Sequence, residues 1–292
     1  MSFITLKNIT KKDGEFYCKG IPYADFDRTG HWGIWNIARM FEACRQIIFQ
    51  QNGFFLNDIK QSKGYVCAYV VRRQRFKLHQ KLHDNISLFS HFLPKITNKL
   101  VEVGNSSFTA HSELTDNFSG SDEVLAESFT RIVKINMNIK QSTPLAIETK
   151  QEFSDLYRHP SEIWQTKEVF PDKRNDITSC LFSIRVPYSD TDRLQHITHV
   201  MYSKYYMDCA TNAIKTGFYR HFVDDICWYP TLEVDIEYLG DAAAGEVIDI
   251  LTWQGENALH LYFETKRHGK VINKAVFVMG REKSRKNRHS KM

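Results

Sequence analysis

The stretch Y-S-D-T-D-R-L-Q-H at residues 188–196 has a counterpart at residues 23–31, which read Y-A-D-F-D-R-T-G-H. The tyrosine, both aspartates, the arginine and the histidine all recur at one constant offset (188 − 23 = 165). An offset this long indicates a duplicated domain, because the repeats of solenoids have periods of roughly 20–50 residues. The recurring residues are mostly polar, and a duplicate retained only for its core would not have to keep them. The sequence therefore predicts two similar domains, each carrying one acidic turn.

The composition limits the class of protein and of site. The chain has 292 residues, of which 42% are apolar and 25% charged, as expected for a soluble globular protein of two domains. It contains no run of about 18 apolar residues, so we expect no membrane span. Its six cysteines include no C-x-x-C pair, which favours unpaired thiols in a reducing compartment. We expect neither a metal nor a cofactor.

The net charge of +5 is concentrated in residues 281–292, which hold six Lys or Arg and one Glu. Residues 1–280 are neutral, with 33 basic and 33 acidic side chains (39 − 6 and 34 − 1). A basic tail on a neutral body differs from a nucleic-acid-binding domain, whose basic patch lies on the fold itself. We therefore expect no nucleic-acid partner.

The tail ends in Ser290-Lys291-Met292, a close variant of the Ser-Lys-Leu peroxisomal address. This ending predicts a peroxisomal protein that binds the import receptor through these residues. The alternative is a cytoplasmic protein with a solvated basic tail.

Both halves show the same order of predicted elements. After each acidic turn, apolar residues recur at helical spacing, from Trp32 to a stop at Gly53 and from Val200 to a stop at Gly217. Period-two alternation, typical of strands, follows each helix. The predicted strands are 13–22, 64–75, 85–92, 100–114 and 127–138 in the first half, and 231–238, 245–253, 258–265 and 271–280 in the second. The predicted domains are 1–142 and 179–280, with a linker helix and polar connection at 143–178 and a flexible tail at 281–292.

The longer stretch V-P-Y-S-D-T-D-R-L-Q-H-I-T-H-V-M-Y-S-K-Y-Y-M-D-C-A at residues 186–210 resembles the signature of hotdog-fold acyl thioesterases, the 4-hydroxybenzoyl-CoA thioesterase and acyl-ACP thioesterase group. Residues 23–36, Y-A-D-F-D-R-T-G-H-W-G-I-W-N, resemble it a second time and keep its Gly-His pair. The resemblance covers most of the chain, although only the two acidic turns are specific. It implies an α+β fold with two hotdog domains in tandem, each an antiparallel sheet wrapped around a long central helix.

The resemblance also implies roles for single residues. An aspartate in a turn before a helix can activate water or attack a thioester directly. The N–H groups at the start of the helix can receive the developing negative charge on the carbonyl oxygen. The residues so assigned are Asp27 and Asp192 as catalytic acids, His31 and His196 as orienting groups, and Gly33, Ile34, Thr198 and His199 as backbone oxyanion donors.

Two features of the acidic turns leave alternatives open. Aspartate is common in turns and helix caps without any chemistry. We expect Asp25 and Asp190 to be structural, paired with Arg28 and Arg193. The second turn has Gln195 where the first has glycine, and the sequence does not show which of the two turns is active.

A basic cluster lies shortly after the first helix and consists of Arg72, Arg73, Arg75 and Lys77. It is a candidate site for the phosphates of coenzyme A or of a carrier protein's phosphopantetheine, with a solvated face as the alternative. The corresponding part of the second half, residues 232–242, is acidic. We therefore expect the two halves to be used differently.

These observations predict an acyl-CoA (or acyl-ACP) thioesterase that acts on an acyl-CoA or acyl-carrier-protein thioester as a monomer or a homodimer of double hotdogs. Two alternatives stay open. One is a hotdog hydratase or dehydratase acting on enoyl or hydroxyacyl thioesters, and the other is a catalytically silent acyl-binding protein.

Overall fold

The computed structural model describes residues 4–51, 67–156, 164, 170 and 177–281. Residues 290–292 and most of the connection 161–178 lie outside this part of the chain. The helices are α1 (Ile34–Gln51), α2 (Gln80–Asn85), α3 (Ile147–Glu152) and α4 (Met201–Lys215). The strands are β1 (Ile4–Lys7), β2 (Asp13–Cys18), β3 (Cys67–Leu78), β4 (Pro94–Val103), β5 (Ser107–Asp116), β6 (Ser121–Asn136), β7 (Gln141–Ser142), β8 (Cys180–Arg185), β9 (Thr231–Tyr238), β10 (Val247–Gln254), β11 (His260–Arg267) and β12 (Lys270–Met279).

The chain divides into two compact units that are interleaved along the sequence. The first unit is made up of residues 1–20, 40–75 and 92–169, and the second of residues 21–39, 76–91 and 170–292. The acidic turn of the first half therefore belongs to the second unit. The domain boundaries at 142 and 179 rest on the sequence repeat and stay predictions.

The first unit is a long helix packed on an antiparallel sheet. Its strands run in the order β1-β2-β4-β5-β6-β3, and all the pairings from β1 to β6 are antiparallel. Helix α1 crosses this sheet, because Phe49 packs edge-on against Phe108 of β5 at 5.0 Å and Arg45 donates to Thr130 Oγ1 of β6 at 3.1 Å. The apolar stripe of α1 that the spacing predicted is buried, at Phe41, Cys44 and Ile48.

The second unit repeats this arrangement. Its strands run in the order β9-β12-β11-β10-β8 with every pairing antiparallel. On α4, the ring of Tyr206 lies 4.8 Å from Phe263 of β11 and 5.8 Å from Phe277 of β12. Such aromatic contacts are among the most stabilising in a core. The residues of α4 that are buried in this way are Tyr202, Tyr205, Tyr206, Cys209, Ala210 and Ala213.

Residues 85–92 do not form the strand that their alternation predicted. Helix α2 ends at Asn85, and a turn follows in which the Ser90 N–H donates to the Ser87 carbonyl at 2.9 Å. The Ser90 hydroxyl also donates to the Asn85 carbonyl at 2.7 Å. The prediction is wrong because serine side chains here satisfy the backbone groups that a strand would have used.

Residues 100–114 are likewise not a single strand. The N–H of Gly104 donates to the Ser107 carbonyl at 2.7 Å, which closes a tight turn between β4 and β5. The glycine and two serines at 104–107 were the turn signal that the longer apolar pattern masked. Strands β1 and β8 were not predicted. The helices α1 and α4 and the strand at 231–238 are confirmed.

No helix in the described ranges is long and apolar enough to cross a membrane. The same ranges hold no group of three or more His, Cys, Asp or Glu side chains placed to bind a metal ion.

Candidate active site

The two acidic turns share one backbone geometry. Each begins with a 3-10 turn that ends at the first aspartate. The N–H of the second aspartate then donates to the carbonyl of the histidine, at 2.7 Å between Asp27 and His31 and at 2.8 Å between Asp192 and His196. The amide three residues after the second aspartate donates back to its carbonyl, at 3.0 and 2.9 Å. The repeat thus preserves the shape of the turn as well as its residues.

The first aspartate of each pair anchors its turn to the following helix. Asp25 and Asp190 are buried. Asp25 forms an ion pair with Arg39 of α1, and Asp190 lies 3.4 Å from Nζ of Lys204 on α4 and accepts from the Tyr205 hydroxyl at 2.9 Å. The two cations occupy equivalent positions relative to their aspartates (39 − 25 = 204 − 190). A buried carboxylate with a cationic partner on the adjacent helix has a structural role here.

The carboxylate of the second aspartate in each pair accepts hydrogen bonds from backbone amides of the loop that follows it. In both turns Oδ1 accepts from the amides two and four residues later, at 2.8 and 3.2 Å for Asp27 and at 2.8 and 3.4 Å for Asp192. Asp192 is exposed, whereas Asp27 is half-buried. Burial raises the pKa of Asp27, against the opposing effect of the hydrogen bonds from Thr29 and His31 and of the Arg28 charge. Carboxylates perturbed in this way are concentrated in active sites.

Thr29 connects the two candidate catalytic side chains of the first turn. Its Oγ1 lies 2.7 Å from Oδ1 of Asp27 and 2.8 Å from Nδ1 of His31. The His31 ring is buried and meets the ring of Trp228 edge-on at 5.8 Å. Thr29 was not among the predicted site residues, although it marks a difference between the repeats, since position 194 of the second turn is leucine.

Arg28 holds the first turn against α4 and residues 225–228. It makes a bidentate contact with Asp225, at 2.6 Å from Nε and 2.9 Å from Nη2. Nη2 also donates to Thr211 Oγ1 at 2.6 Å, and Nη1 lies 3.5 Å from Asp208. The predicted pairing of Arg28 with Asp25 is therefore wrong, because Arg39 takes that place. Among the described residues, Arg193 makes no ion pair with Asp190 or with any other carboxylate.

Two of the four backbone N–H groups predicted as oxyanion donors already make a hydrogen bond within their own turn. The N–H of Gly33 and the N–H of Thr198 each donate to the carbonyl of the first aspartate of their own turn, at 3.2 and 3.0 Å. Ile34 is the first residue of α1, where an amide has no helical carbonyl to bond. His199 lies two residues before α4, and its carbonyl accepts from the Tyr238 hydroxyl at 3.1 Å. The amides of Gly33 and Thr198 are therefore already used within their own turns.

The second turn has different polar surroundings. Nδ1 of His196 lies 3.7 Å from Oδ2 of Asp241, and Leu194 provides no hydroxyl between the histidine and Asp192. Both Leu194 and Asp192 are exposed. The second turn therefore has the backbone of the first without its connected side chains.

The basic cluster predicted on β3 is divided between the two faces of the strand. Buried Gln74 and Phe76 mark the core face, and successive side chains of a strand point to opposite faces. Arg72 therefore shares the core face, while the other face carries Arg73, Arg75 and Lys77. The Arg73 guanidinium lies over the ring of Trp164 at 5.7 Å and donates to its carbonyl at 3.4 Å. Arg72 thus lies on the opposite face from the other three cations, and a phosphate site at this cluster stays a prediction.

Three solved structures are similar to this chain over nearly its whole length. A protein described as an oleoyl thioesterase from Lactobacillus plantarum has a TM-score of 0.72 at 11% identity, covering 96% of this chain and 98% of its own. An acyl-ACP thioesterase from Bacteroides thetaiotaomicron gives 0.69 at 12% identity, over 93% and 100%. The 12:0-ACP thioesterase from Umbellularia californica gives 0.68 at 14% identity, over 93% and 98%.

The chain has the tandem hotdog fold of these structures. This confirms the α+β architecture of two antiparallel sheets, each with a long helix, that the duplicated turn predicted. No family model and no curated protein matches the sequence. Identities of 11–14% establish the fold alone, and the activity has to be argued from the site.

Proposed function

We propose that the protein hydrolyses acyl thioesters and that Asp27 in the first turn is its catalytic base. The observation that carries this proposal is the half-buried Asp27 carboxylate in the turn that precedes α1, which accepts hydrogen bonds from Thr29 and His31 and has a raised pKa. The similarity to three thioesterases over at least 93% of the chain supports it. The substrate is an acyl group carried on coenzyme A or on an acyl carrier protein.

The two oxygens of Asp27 have separate tasks in this proposal. The three hydrogen bonds that the described residues donate to the carboxylate all go to Oδ1. Oδ2 accepts a proton from water as the water oxygen bonds to the thioester carbon. The C–S bond then breaks, and the thiolate leaves and takes up a proton. A base whose pKa is raised towards the working pH does this more effectively than a fully solvated aspartate.

Replacement of each aspartate by asparagine tests the proposal. We expect Asp27→Asn to lower kcat for thiol release by about 10²–10⁴-fold, because asparagine keeps the hydrogen bonds of the turn but cannot accept the proton. Asp192→Asn, the matched variant in the second turn, should lower it much less. The measurement is thiol release from acyl-CoA and acyl-ACP substrates of several chain lengths, with far-UV circular dichroism to show that each variant is folded. Near-native turnover by Asp27→Asn would contradict the proposal.

A further inference from the structure

When Asp27 is ionised, the donor and the acceptor can be assigned in only one way in the hydrogen bonds that link Asp27, Thr29 and His31. An ionised carboxylate only accepts hydrogen bonds, and Oδ1 lies 2.7 Å from Oγ1 of Thr29. The single hydroxyl proton of Thr29 must therefore point at Asp27. At 2.8 Å from the same Oγ1, Nδ1 of His31 must then be the donor. Otherwise two acceptor atoms would face each other at that distance.

A second acceptor near Thr29 does not change this assignment. The carbonyl oxygen of Cys227 lies 3.3 Å from Oγ1, farther away than Asp27. If the hydroxyl proton pointed at Cys227, the ionised Oδ1 would face the lone pairs of Oγ1 at close range, and the two oxygens would repel each other. With its proton on the side of Asp27, the Thr29 hydroxyl makes no hydrogen bond to the Cys227 carbonyl.

We propose that Thr29 is a positioning residue, whose hydroxyl holds Asp27 and His31 in one hydrogen-bonded unit and fixes His31 as the Nδ1–H tautomer. This inference rests on the proposed function in taking Asp27 as the catalytic base. It assigns the active turn to the first repeat, because leucine stands at the equivalent position 194 and cannot make the connection. Thr29 does not touch the substrate in this scheme; it acts through the two side chains it joins.

The charged and titratable groups around Asp27 and its neighbour Arg28 come from three elements. Its own turn provides Arg28 and His31, residues 225–228 provide Asp225 and the Cys227 thiol, and α4 provides Asp208. Loss of the Thr29 hydroxyl changes none of these charges. It removes one hydrogen bond that favours the ionised form of Asp27, so the acid limb of the pH–rate profile should move to higher pH.

The test uses the full chain with two substitutions at position 29 and one control. Thr29→Val has nearly the shape of threonine and lacks the hydroxyl, and Thr29→Ser restores it. The control is Thr191→Val in the second turn, whose hydroxyl donates to the Tyr188 carbonyl at 2.8 Å and does not contact Asp192. We expect Thr29→Val to lower kcat by between about 10-fold and 100-fold with KM nearly unchanged. Thr29→Ser should keep most of the activity, and Thr191→Val should keep all of it.

A second readout does not depend on activity. The ¹⁵N chemical shifts of a neutral imidazole report which nitrogen carries the proton, and the His31 signals can be assigned with a His31→Gln variant. At a pH where the ring is neutral, we expect Nδ1–H for His31 in the wild type and in Thr29→Ser. In Thr29→Val the Nδ1–H form should lose its dominance.

The two readouts separate the possible failures. If the wild type releases no thiol from any substrate, the proposed function fails, and the tautomer of His31 still decides whether Thr29 joins the two side chains. If His31 is Nε2–H in the wild type, or stays fully Nδ1–H in Thr29→Val, the inference is overturned. Unchanged kcat and pH profile in Thr29→Val, with thiol release established in the wild type, would overturn it as well.

Discussion

Asp27 and Asp192 stand at equivalent positions of one repeated turn, yet their neighbours give the two carboxylates different chemistry. Asp27 is half-buried and joined through Thr29 to His31, whereas Asp192 is exposed beside Leu194. A single threonine-to-leucine difference separates a connected pair from an isolated carboxylate. The contacts of the second aspartate therefore depend on the few positions at which the repeats differ.

The raised pKa of Asp27 has a consequence for stability. A carboxyl group whose pKa is higher in the folded than in the unfolded state favours folding in its protonated form, and this stability is lost as the pH rises through the folded-state pKa. An asparagine at this position does not titrate and accepts the same amide hydrogen bonds. We expect the stability of Asp27→Asn relative to the wild type to increase from acidic to neutral pH, as measured by urea unfolding at several pH values. A relative stability that falls over this range would contradict the assignment.

Arg28 and Arg193 allow a matched comparison of two arginines in the same turn. Arg28→Gln removes the bidentate contact with Asp225 and the hydrogen bond to Thr211. We expect a loss of about 1–3 kcal/mol in the free energy of unfolding at neutral pH, since hydrogen bonds to charged groups contribute about that much. Arg193→Gln should change it by no more than about 0.5 kcal/mol. Equal effects of the two variants in urea unfolding would contradict this description.

The pH dependence of the Arg28 effect has a definite sign. Although burial opposes it, the hydrogen bonds from Arg28 hold the pKa of Asp225 below its usual value. A group with a lowered pKa stabilises the fold above its unfolded-state pKa and loses that contribution as the pH falls through the folded-state pKa. The destabilisation caused by Arg28→Gln should therefore shrink at acidic pH.

At the scale of elements, the loop of each turn contains one residue with left-handed backbone. Gly30 has φ +78°, and Gln195 at the equivalent position has φ 59°. A Cβ added at Gly30 would meet no atom within 4 Å, so Gly30→Ala tests the backbone conformation alone. We expect it to lower the free energy of unfolding by about 1 kcal/mol and Gln195→Gly to leave it unchanged or raise it slightly. Chemical denaturation measures both, and a neutral Gly30→Ala would show that the loop relaxes.

The apolar periodicity correctly predicted those elements in which buried residues recur at regular spacing over the whole length. Helix α4 and strand β9 are of this kind, because their apolar residues recur without interruption. The predictions failed at 85–92 and 100–114, where Ser90 and Gly104 end the regular structure through local hydrogen bonds that an apolar count does not register. Strand β8 was missed because its residues alternate between half-buried and exposed, with Leu181 outward.

The repeated residues of the candidate site were predictable from the sequence, and the others were not. Repetition of the turn pointed to Asp27 and His31 without any knowledge of their contacts. It did not point to Thr29, which differs between the repeats, or to Asp225 and Thr211, which lie far along the chain from Arg28. Their proximity depends on tertiary packing, and a single sequence carries no trace of it.

At the scale of the whole molecule, the repeat and the compact units divide the chain differently. The constant offset between the two acidic turns records a duplication, while the units record which segments pack together. Segments 21–39 and 76–91 of the first half are part of the second unit, where Arg28 binds Asp225 and Nε2 of His83 lies 2.8 Å from the Thr231 carbonyl. A duplicated sequence thus does not imply two independently folding pieces.

This interleaving predicts how the halves behave when the chain is cut. A fragment of residues 170–292 lacks both inserted segments and leaves Asp225 without its arginine and the Thr231 carbonyl without its histidine. Since a domain is stable by only about 5–15 kcal/mol in total, we expect this fragment to show no cooperative thermal transition when expressed alone. Co-expression with residues 1–169 supplies both segments and should restore a cooperative thermal transition. Circular dichroism and the dispersion of amide signals in NMR spectra measure this. If the isolated fragment unfolds cooperatively at the temperature of the full chain, segments 21–39 and 76–91 contribute nothing essential to the second unit, and the boundary near 179 suggested by the repeat is also the boundary of folding.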